Sequence, residues 1–501
     1  MLTVVIFLPL LVALLLAALP RMSPAATRWL FVAVTAVEFA LVLVLWAGYD
    51  GGNGGIDYRA NTEWVPSIGV GYRVGLDGLS LPLVALTAGL FLACAVYSLR
   101  EERRVRSYVA LFLFLETACL GLFAALDLIL FFVFFDLSIV GMYFLIAGWG
   151  HRHAARAALQ FFLYTFIGSL ALLLGFIGLY LAATPRTFDI VALTQQQPLA
   201  GRAGYGGLVL LAIFVGLAIK TPTVPFHTWL PPAHTEAPAT GSAILAGVLL
   251  KMGTYGFLRI AMPILPEQWR RYALAILVVG VISVLYGALV ALAQTDFKRM
   301  IAYTSVNHMG YILLAVGAAG LVADSDAQAR QLAVTGAVTQ MVSHGLITGA
   351  LFLLAGVLYQ RGGTYDMAAY GGLAGTAPRF AGFTVVAAFA SLGLPGFSGF
   401  VAEFQIFTGS LDAQPVATAV AVLGILITAA LFLLAIQRML LGPLRTPGGP
   451  GAATVFGDLR PHEWASVAPL LLLAAVIGVA PRFLLDVIEP ASRAVVELVA
   501  R

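Results

Sequence analysis

The chain has 501 residues, of which 61% are hydrophobic and only 10% charged, against about 25% charged in an average soluble domain. That excludes a solvated globular enzyme: apolar runs of about 20 residues recur, each long enough to cross about 30 Å of hydrocarbon. The net charge of +4 is small and spread over many loops, which reads as membrane topology and not as nucleic-acid binding. Cys94 and Cys119 lie in apolar runs, far apart and outside any CxxC pair, so this chain offers neither an iron–sulfur ligand set nor a disulfide framework.

Hydropathy predicts an all-α polytopic membrane protein with about fourteen spans. They fall at 2–20, 28–49, 78–99, 107–126, 128–149, 157–183 and 205–232, then at 239–262, 272–293, 300–322, 332–359, 380–411, 415–440 and 464–485. The first ends in small residues like a signal peptide but has no basic segment before it, so it is read as a span. Between spans, 15 Lys and Arg fall on one side, Arg21 and Lys298 among them, and 11 on the other. That bias favours both termini outside. The longest stretch between spans is roughly 50–77, too short for a soluble catalytic domain.

Two spans are interrupted. The seventh reads LVLLAIFVGLAIKTPTVPFHTWLPP, with Pro222 and Pro225 just after Lys220. The twelfth reads VVAAFASLGLPGFSGFVAEF, with Pro395, Gly396 and Gly399 before Glu403. Proline removes a backbone donor, and in lipid that is tolerated only where protein or a watery cavity satisfies the freed groups. Each break is fourth in a run of five spans, a pattern of repeat-built transporters, although two unrelated proline kinks would look alike. The expected organisation is therefore 1–106 (N-terminal helices), 107–262 and 272–440 (five-helix units), and 441–501 (last helix and tail).

Of 28 Lys and Arg only three are Lys, namely Lys220, Lys251 and Lys298, and the first two lie deep in apolar spans. A buried lysine can release its proton, whereas arginine cannot. Asp136, Glu403, His308 and His344 are also placed within spans. A charge at the centre of a span costs about 2.5–3.5 kcal/mol, so Lys220, Lys251, Asp136 and Glu403 together cost roughly 12 kcal/mol and need pairing, neutralisation or internal water. The row has the composition of a proton relay. Blander readings stand beside it: a structural Asp136–Lys220 pair, a core His344, a hydrogen-bonding His308, and structural roles for Glu38 and Glu116. His227, His234 and Glu236 in PFHTWLPPAHTEAP lack metal-ligand spacing on one helix face and read as a rigid re-entry loop, with no metal expected. His151 and His153 read as loop residues.

The stretches FFVFFDLSIVGMYFLIAGWG, IKTPTVPFHTWLPPAHTEAPATGSAILAGVLLKMGTYG, FKRMIAYTSVNHMGYILLAVG and LPGFSGFVAEFQIF resemble the antiporter-like subunits of respiratory complex I. That family shares a superfamily with Mrp antiporters, and the chain resembles its M-type branch. The resemblance covers nearly the whole chain. It implies fourteen helices with two inverted five-helix repeats, each holding a broken helix. By position Asp136 matches a fifth-helix glutamate that pairs with Lys220, and Lys251 matches a central lysine. His308 and His344 match histidines of a hydrated axis, and Glu403 the terminal carboxylate. Aspartate at 136 is one methylene shorter than the usual glutamate, so a longer or water-bridged pair is expected. The L-type and N-type subunits carry lysine where this chain has Glu403, and the L-type long lateral helix is not expected after residue 485.

The resemblance implies a proton-translocating subunit of an NADH–quinone translocase that carries no redox centre itself. NAD, FMN, iron–sulfur clusters and quinone would lie in partner subunits, and no dinucleotide fingerprint occurs here. Its partners would be other membrane-arm subunits, especially the L-type and N-type ones, with lipids and protons and no nucleic acid. The location would be a bacterial inner (plasma) membrane. Three alternatives use the same residues: an Mrp-type cation/proton antiporter subunit, a membrane-bound hydrogenase subunit, and a scaffold.

Overall fold

The computed structural model describes residues 1–18, 22–51, 54–447 and 456–501. Arg21 and the last two residues of the first predicted span lie outside the described residues. The helices are α1 (Leu2–Ala18), α2 (Pro24–Ala47), α3 (Leu81–Tyr97), α4 (Val105–Ala124), α5 (Leu128–Trp149) and α6 (Ala154–Ala182). The seventh span divides into α7 (Ala203–Lys220) and the short α8 (Leu230–Glu236). After it come α9 (Ala239–Ile264), α10 (Pro266–Leu292), α11 (Phe297–Ala318) and α12 (Ala327–Gly362). The twelfth span divides into α13 (Pro378–Ser391) and α14 (Ser398–Ala413), followed by α15 (Pro415–Leu440), α16 (Pro461–Val479) and α17 (Arg482–Ala500).

Among the described residues, eleven helices are long and apolar enough to cross a membrane. Three predicted spans fall outside that number for separate reasons. Helix α1 has 17 residues, α11 carries the polar run Thr304, Ser305, Asn307 and His308, and the twelfth span is two pieces of 14 and 16 residues. The centre is built on α12, whose 36 residues run about 54 Å at 1.5 Å each, and on α9; both are almost wholly buried. Helices α2, α15 and α16 lie outside and expose leucine and valine, such as Leu43, Leu426 and Leu472, as a lipid-facing surface does.

The sequence showed neither the hairpin nor the terminal helix, and a short helix, Ile190–Gln196, also lies between the sixth and seventh spans. The 50–77 stretch contains an antiparallel hairpin, β1 (Asp57–Val65) with β2 (Val70–Leu76). Arg73 on β2 reaches Asp127, the N-cap of α5, at 2.5 Å, and Asp189 at 3.5 Å. The last span ends at Val479, not at 485, because Pro481 follows and the pattern turns amphipathic. Helix α17 buries Leu484, Ile488, Val495 and Val499 while Arg482 and Asp486 face solvent. Tyr72 donates to Thr3 at 3.2 Å, and Arg270 at the start of α10 donates to the Val499 carbonyl at 2.6 Å. The hairpin and both chain ends therefore share one face.

Candidate functional site

The two breaks place polar groups where an unbroken helix would offer none. In α7 the carbonyl of Ala218 would normally accept from residue 222, but Pro222 has no N–H. The amide and hydroxyl of Thr223 take it instead, at 3.1 and 3.3 Å. Trp229 Nε1 donates to the next carbonyl, Ile219, at 2.9 Å, which folds the TPTVPFHTW segment back onto the helix end. Lys220 is thus the last helical residue before the break, fully buried. Its Nζ donates to Ser138 Oγ at 3.0 Å and lies 4.6 Å from the Phe135 ring centre. Ser138 Oγ in turn donates to the Phe135 carbonyl at 2.6 Å.

Asp136 stands on the same turn of α5 as these two residues. Among the described residues it forms no ion pair with Lys220, and its Oδ1 is buried without a hydrogen-bond partner. The short aspartate side chain leaves the ammonium to the serine hydroxyl and the aromatic face. The expected pair is therefore longer than direct contact.

The second break shows the same logic. The Ser391 carbonyl at the end of α13 would accept from residue 395, which is Pro395. His308 Nε2 takes that carbonyl at 3.2 Å. Glu403 lies on α14, its carboxylate against the Cα of Gly393, where any Cβ would collide with Oε2. The backbone of Gly393 has φ +80°, which favours glycine for a second reason.

Between the breaks, α9 and α12 approach closely enough for Lys251 to reach His344. Gly247 and Gly345 face each other there, so that a Cβ on Gly345 would lie 2.9 Å from the Gly247 carbonyl. A π-helical turn, Leu245–Leu249, ends two residues before Lys251. Lys251 Nζ donates to the Ala246 carbonyl of that turn at 2.5 Å and meets His344 Nδ1 at 2.6 Å. The other ring nitrogen, Nε2, lies 3.1 Å from Ser305 Oγ on α11. The His344 and His308 rings are 5.3 Å apart, edge to face. A small cavity of about 10 Å³, the scale of a single water, touches His308, His344, Ser343, Ser391 and Glu403. Ser343 and Ser398 share a 2.8 Å hydrogen bond in its wall.

Lys251, His344, His308 and Glu403 are therefore brought together, whereas Lys220 and Asp136 form a separate group one helix away. Gly253 of α9 packs on Thr221 and Leu217 of α7, which seats the two groups side by side. Glu38 and Glu116 are fully buried, and none of their four oxygens has a hydrogen-bond partner among the described residues. His227 packs against Tyr286 at 4.9 Å, His234 stacks on Phe352 at 4.5 Å, and Glu236 accepts the His153 amide at 2.8 Å. Among the described residues no three His, Cys, Asp or Glu side chains gather as a metal site.

Lys298 corrects the loop reading. It is fully buried in the first turn of α11, donates to the Ala237 carbonyl at 2.5 Å, and sits 5.0 Å from the Tyr365 ring centre. His151 is also less exposed than a loop histidine: its Nε2 lies 3.0 Å from the Tyr365 hydroxyl. Burial, with the Lys298 charge nearby, lowers its pKa to about 4, so it is neutral at pH 7. The sequence signal was present in both cases, in the rarity of lysine and in the aromatic Tyr359 and Tyr365 that would receive these groups.

A model of the family described as NADH:quinone oxidoreductase/Mrp antiporter, transmembrane, matches residues 125–428, which include both breaks and the whole Lys251 cluster. The chain belongs to this family. NADH-quinone oxidoreductase subunit M of Rickettsia conorii is 38% identical over 96% of both chains. F420H2 dehydrogenase subunit M of Methanosarcina mazei is 37% identical over 92% of this chain and 91% of its own length. Among solved structures, a chain of respiratory complex I from Thermus thermophilus superposes with a TM-score of 0.88 at 32% identity, covering all of both chains. A chain of the Mrp complex from Dietzia matches with a TM-score of 0.85 but 24% identity, a likeness of fold alone. This member of the family is thus a predominantly helical, multi-pass membrane protein of the NADH:quinone oxidoreductase/Mrp type.

Proposed function

We propose that this chain is an M-type, proton-translocating membrane subunit of an NADH–quinone oxidoreductase, driven by electron transfer in partner subunits. The observation that carries the reading is the Lys251–His344–Ser305 chain beside the His308–Glu403 cavity, in a chain alike over its whole length to subunits M. In this reading the fold comprises fourteen helices, with residues 107–262 and 272–440 as inverted five-helix repeats. Residues 1–106 and 441–501 flank them.

Asp136, Lys220, Lys251, His308, His344 and Glu403 form the relay. Asp136 favours the ammonium of Lys220 through its field, at longer range than a direct pair. Ser138 and Phe135 hold that ammonium weakly, so a signal from a neighbouring subunit suffices to move its proton toward Lys251. His344 accepts from Lys251 at hydrogen-bond distance, and the proton leaves through the small cavity to Glu403. Moving one charge against about 100 mV takes about 2.3 kcal/mol. That lies within what rearranging a buried charge and its partners supplies.

NAD, FMN, iron–sulfur clusters and quinone belong to the partners in this reading, and the neighbours are L-type and N-type subunits. The location is a bacterial inner membrane, with the hairpin face and both termini outside. The Mrp-type antiporter is the second reading, favoured only by fold.

The test is NADH-driven proton pumping in membrane vesicles with Lys220→Met and Glu403→Gln. Loss of pumping together with NADH oxidation is the expected result. Normal values for both variants would discard the complex I reading, and sodium/proton exchange would be measured next.

A further inference from the structure

Three lysines occur in the chain, and the relay above uses two. We propose that Lys298 is a proton-carrying residue that admits protons from the arginine-rich face to Lys251 by way of His234, with Glu236 at the mouth of the path. This deepens the preceding reading and rests on it, since it requires Lys251 to gain and lose a proton in turn.

The placement of Lys298 argues against a purely structural cation. It is fully buried and has no salt bridge among the described residues; it is held by one carbonyl, Ala237, and one aromatic face, Tyr365. Asp296 and Glu236 face it at longer range. A buried ammonium with so few partners lies close in energy to its neutral amine. Arginine would satisfy the same carbonyl and ring but would never release a proton.

Lys298 also stands between an opening and a partner. Toward the arginine-rich face a cleft of about 380 Å³ is lined by Glu236, His153, Arg156 and Arg299. The Glu236 carboxylate is steadied there by the His153 amide at 2.8 Å. Deeper in the helix bundle is His234, fully buried, with both ring nitrogens unpartnered among the described residues. It lies within electrostatic reach of both Lys298 and Lys251. Its ring stacks flat on Phe352 at 4.5 Å, which leaves the nitrogens at the ring edge free for transfer. His151 holds the Tyr365 hydroxyl at 3.0 Å and is neutral at pH 7, so the wall behind the lysine adds no competing cation.

The steps balance as proton transfers alone. The Lys298 ammonium gives a proton to a neutral His234 nitrogen and becomes an amine. A protonated Glu236 restores the ammonium and is itself reprotonated from the cleft. His234 then passes its proton to the Lys251 amine.

The experiment measures NADH-driven proton uptake by vesicles carrying the assembled complex with Lys298→Arg and Lys298→Met. Both variants are expected to lower coupled turnover about a hundredfold or more, the scale of a lost proton-transfer group. The amount of assembled complex and NADH oxidation by ferricyanide should stay unchanged. Wild-type pumping with Lys298→Arg would show that only charge and packing matter, and would overturn the proposal. If the arginine variant does not assemble, the isosteric Glu236→Gln decides. It should lower coupled turnover about as far as Lys298→Met does, and wild-type turnover overturns the proposal. Lys220→Met is run alongside. Its loss with a normal Lys298→Arg discards the admission path alone, whereas wild-type behaviour of both discards the underlying relay.

Discussion

Position 136 shows how one methylene changes a buried contact. The carboxylate at 136 stops short of Lys220, and the ammonium turns to Ser138 at 3.0 Å and to the Phe135 face. Asp136→Glu adds about one carbon–carbon bond of reach on a helical turn whose Phe135 and Ser138 already contact the lysine. The expected result is a direct Glu–Lys220 pair and a Lys220 held more firmly as an ammonium. Coupled turnover should then reach its alkaline limb at higher pH than in the wild type, read from a pH profile of NADH-driven pumping. An unmoved alkaline limb would mean that Asp136 does not act on Lys220. The carboxylate, the lysine and their helices were legible in the sequence. The missing contact was not, because it depends on a distance of a few ångströms between two helices.

At the scale of elements, the breaks matter for the carbonyls they free. Pro222 and Pro395 each remove the N–H that a carbonyl four residues earlier would have received, and another group fills the gap. In α7 it is the amide and hydroxyl of Thr223, and in α13 it is the side chain of His308 from a different helix. Pro395→Ala restores an N–H opposite the Ser391 carbonyl, so the carbonyl can be taken back into a helix and His308 released. Pumping is expected to fall by about tenfold or more, as when a relay group is misplaced. Assembly should be kept, because alanine favours a helix. Unchanged pumping would make the break a mere kink. Both breaks could be read from Pro222, Pro225 and Pro395 alone, as could the helix type and most span limits. The hairpin at 57–76 and helix α17 could not be read this way. Their apolar residues alternate or lie on one face, so average hydropathy passes over them.

At the scale of the whole molecule, a few buried ion pairs tie the ends of helices that are distant in sequence. Arg361, at the end of α12, grips Glu463 at the start of α16 with two contacts of 2.6 Å, and the glutamate is fully buried. Removing one partner of such a pair leaves an uncompensated charge, at a cost of about 3–5 kcal/mol. Arg361→Met should therefore lower the amount of folded chain in the membrane and its melting temperature, while Arg361→Met with Glu463→Leu should recover most of both. Failure of the double variant to recover would assign the loss to packing instead.

The sequence by itself determined that this is a multi-pass helical membrane protein with two broken spans, and named the ionisable residues that the membrane makes costly. Those properties are local: they follow from runs of apolar residues, from proline's missing donor, and from the price of a charge in hydrocarbon. Only the tertiary structure decided which of these groups meet. Gly247 and Gly345 had to face each other before Lys251 could touch His344. Tyr365 had to fold over the start of α11 before Lys298 left the solvent. Asp136 and Lys220 remained apart although both were foreseen, because pairing across helices depends on crossing points and side-chain length, which no run of residues along one helix encodes.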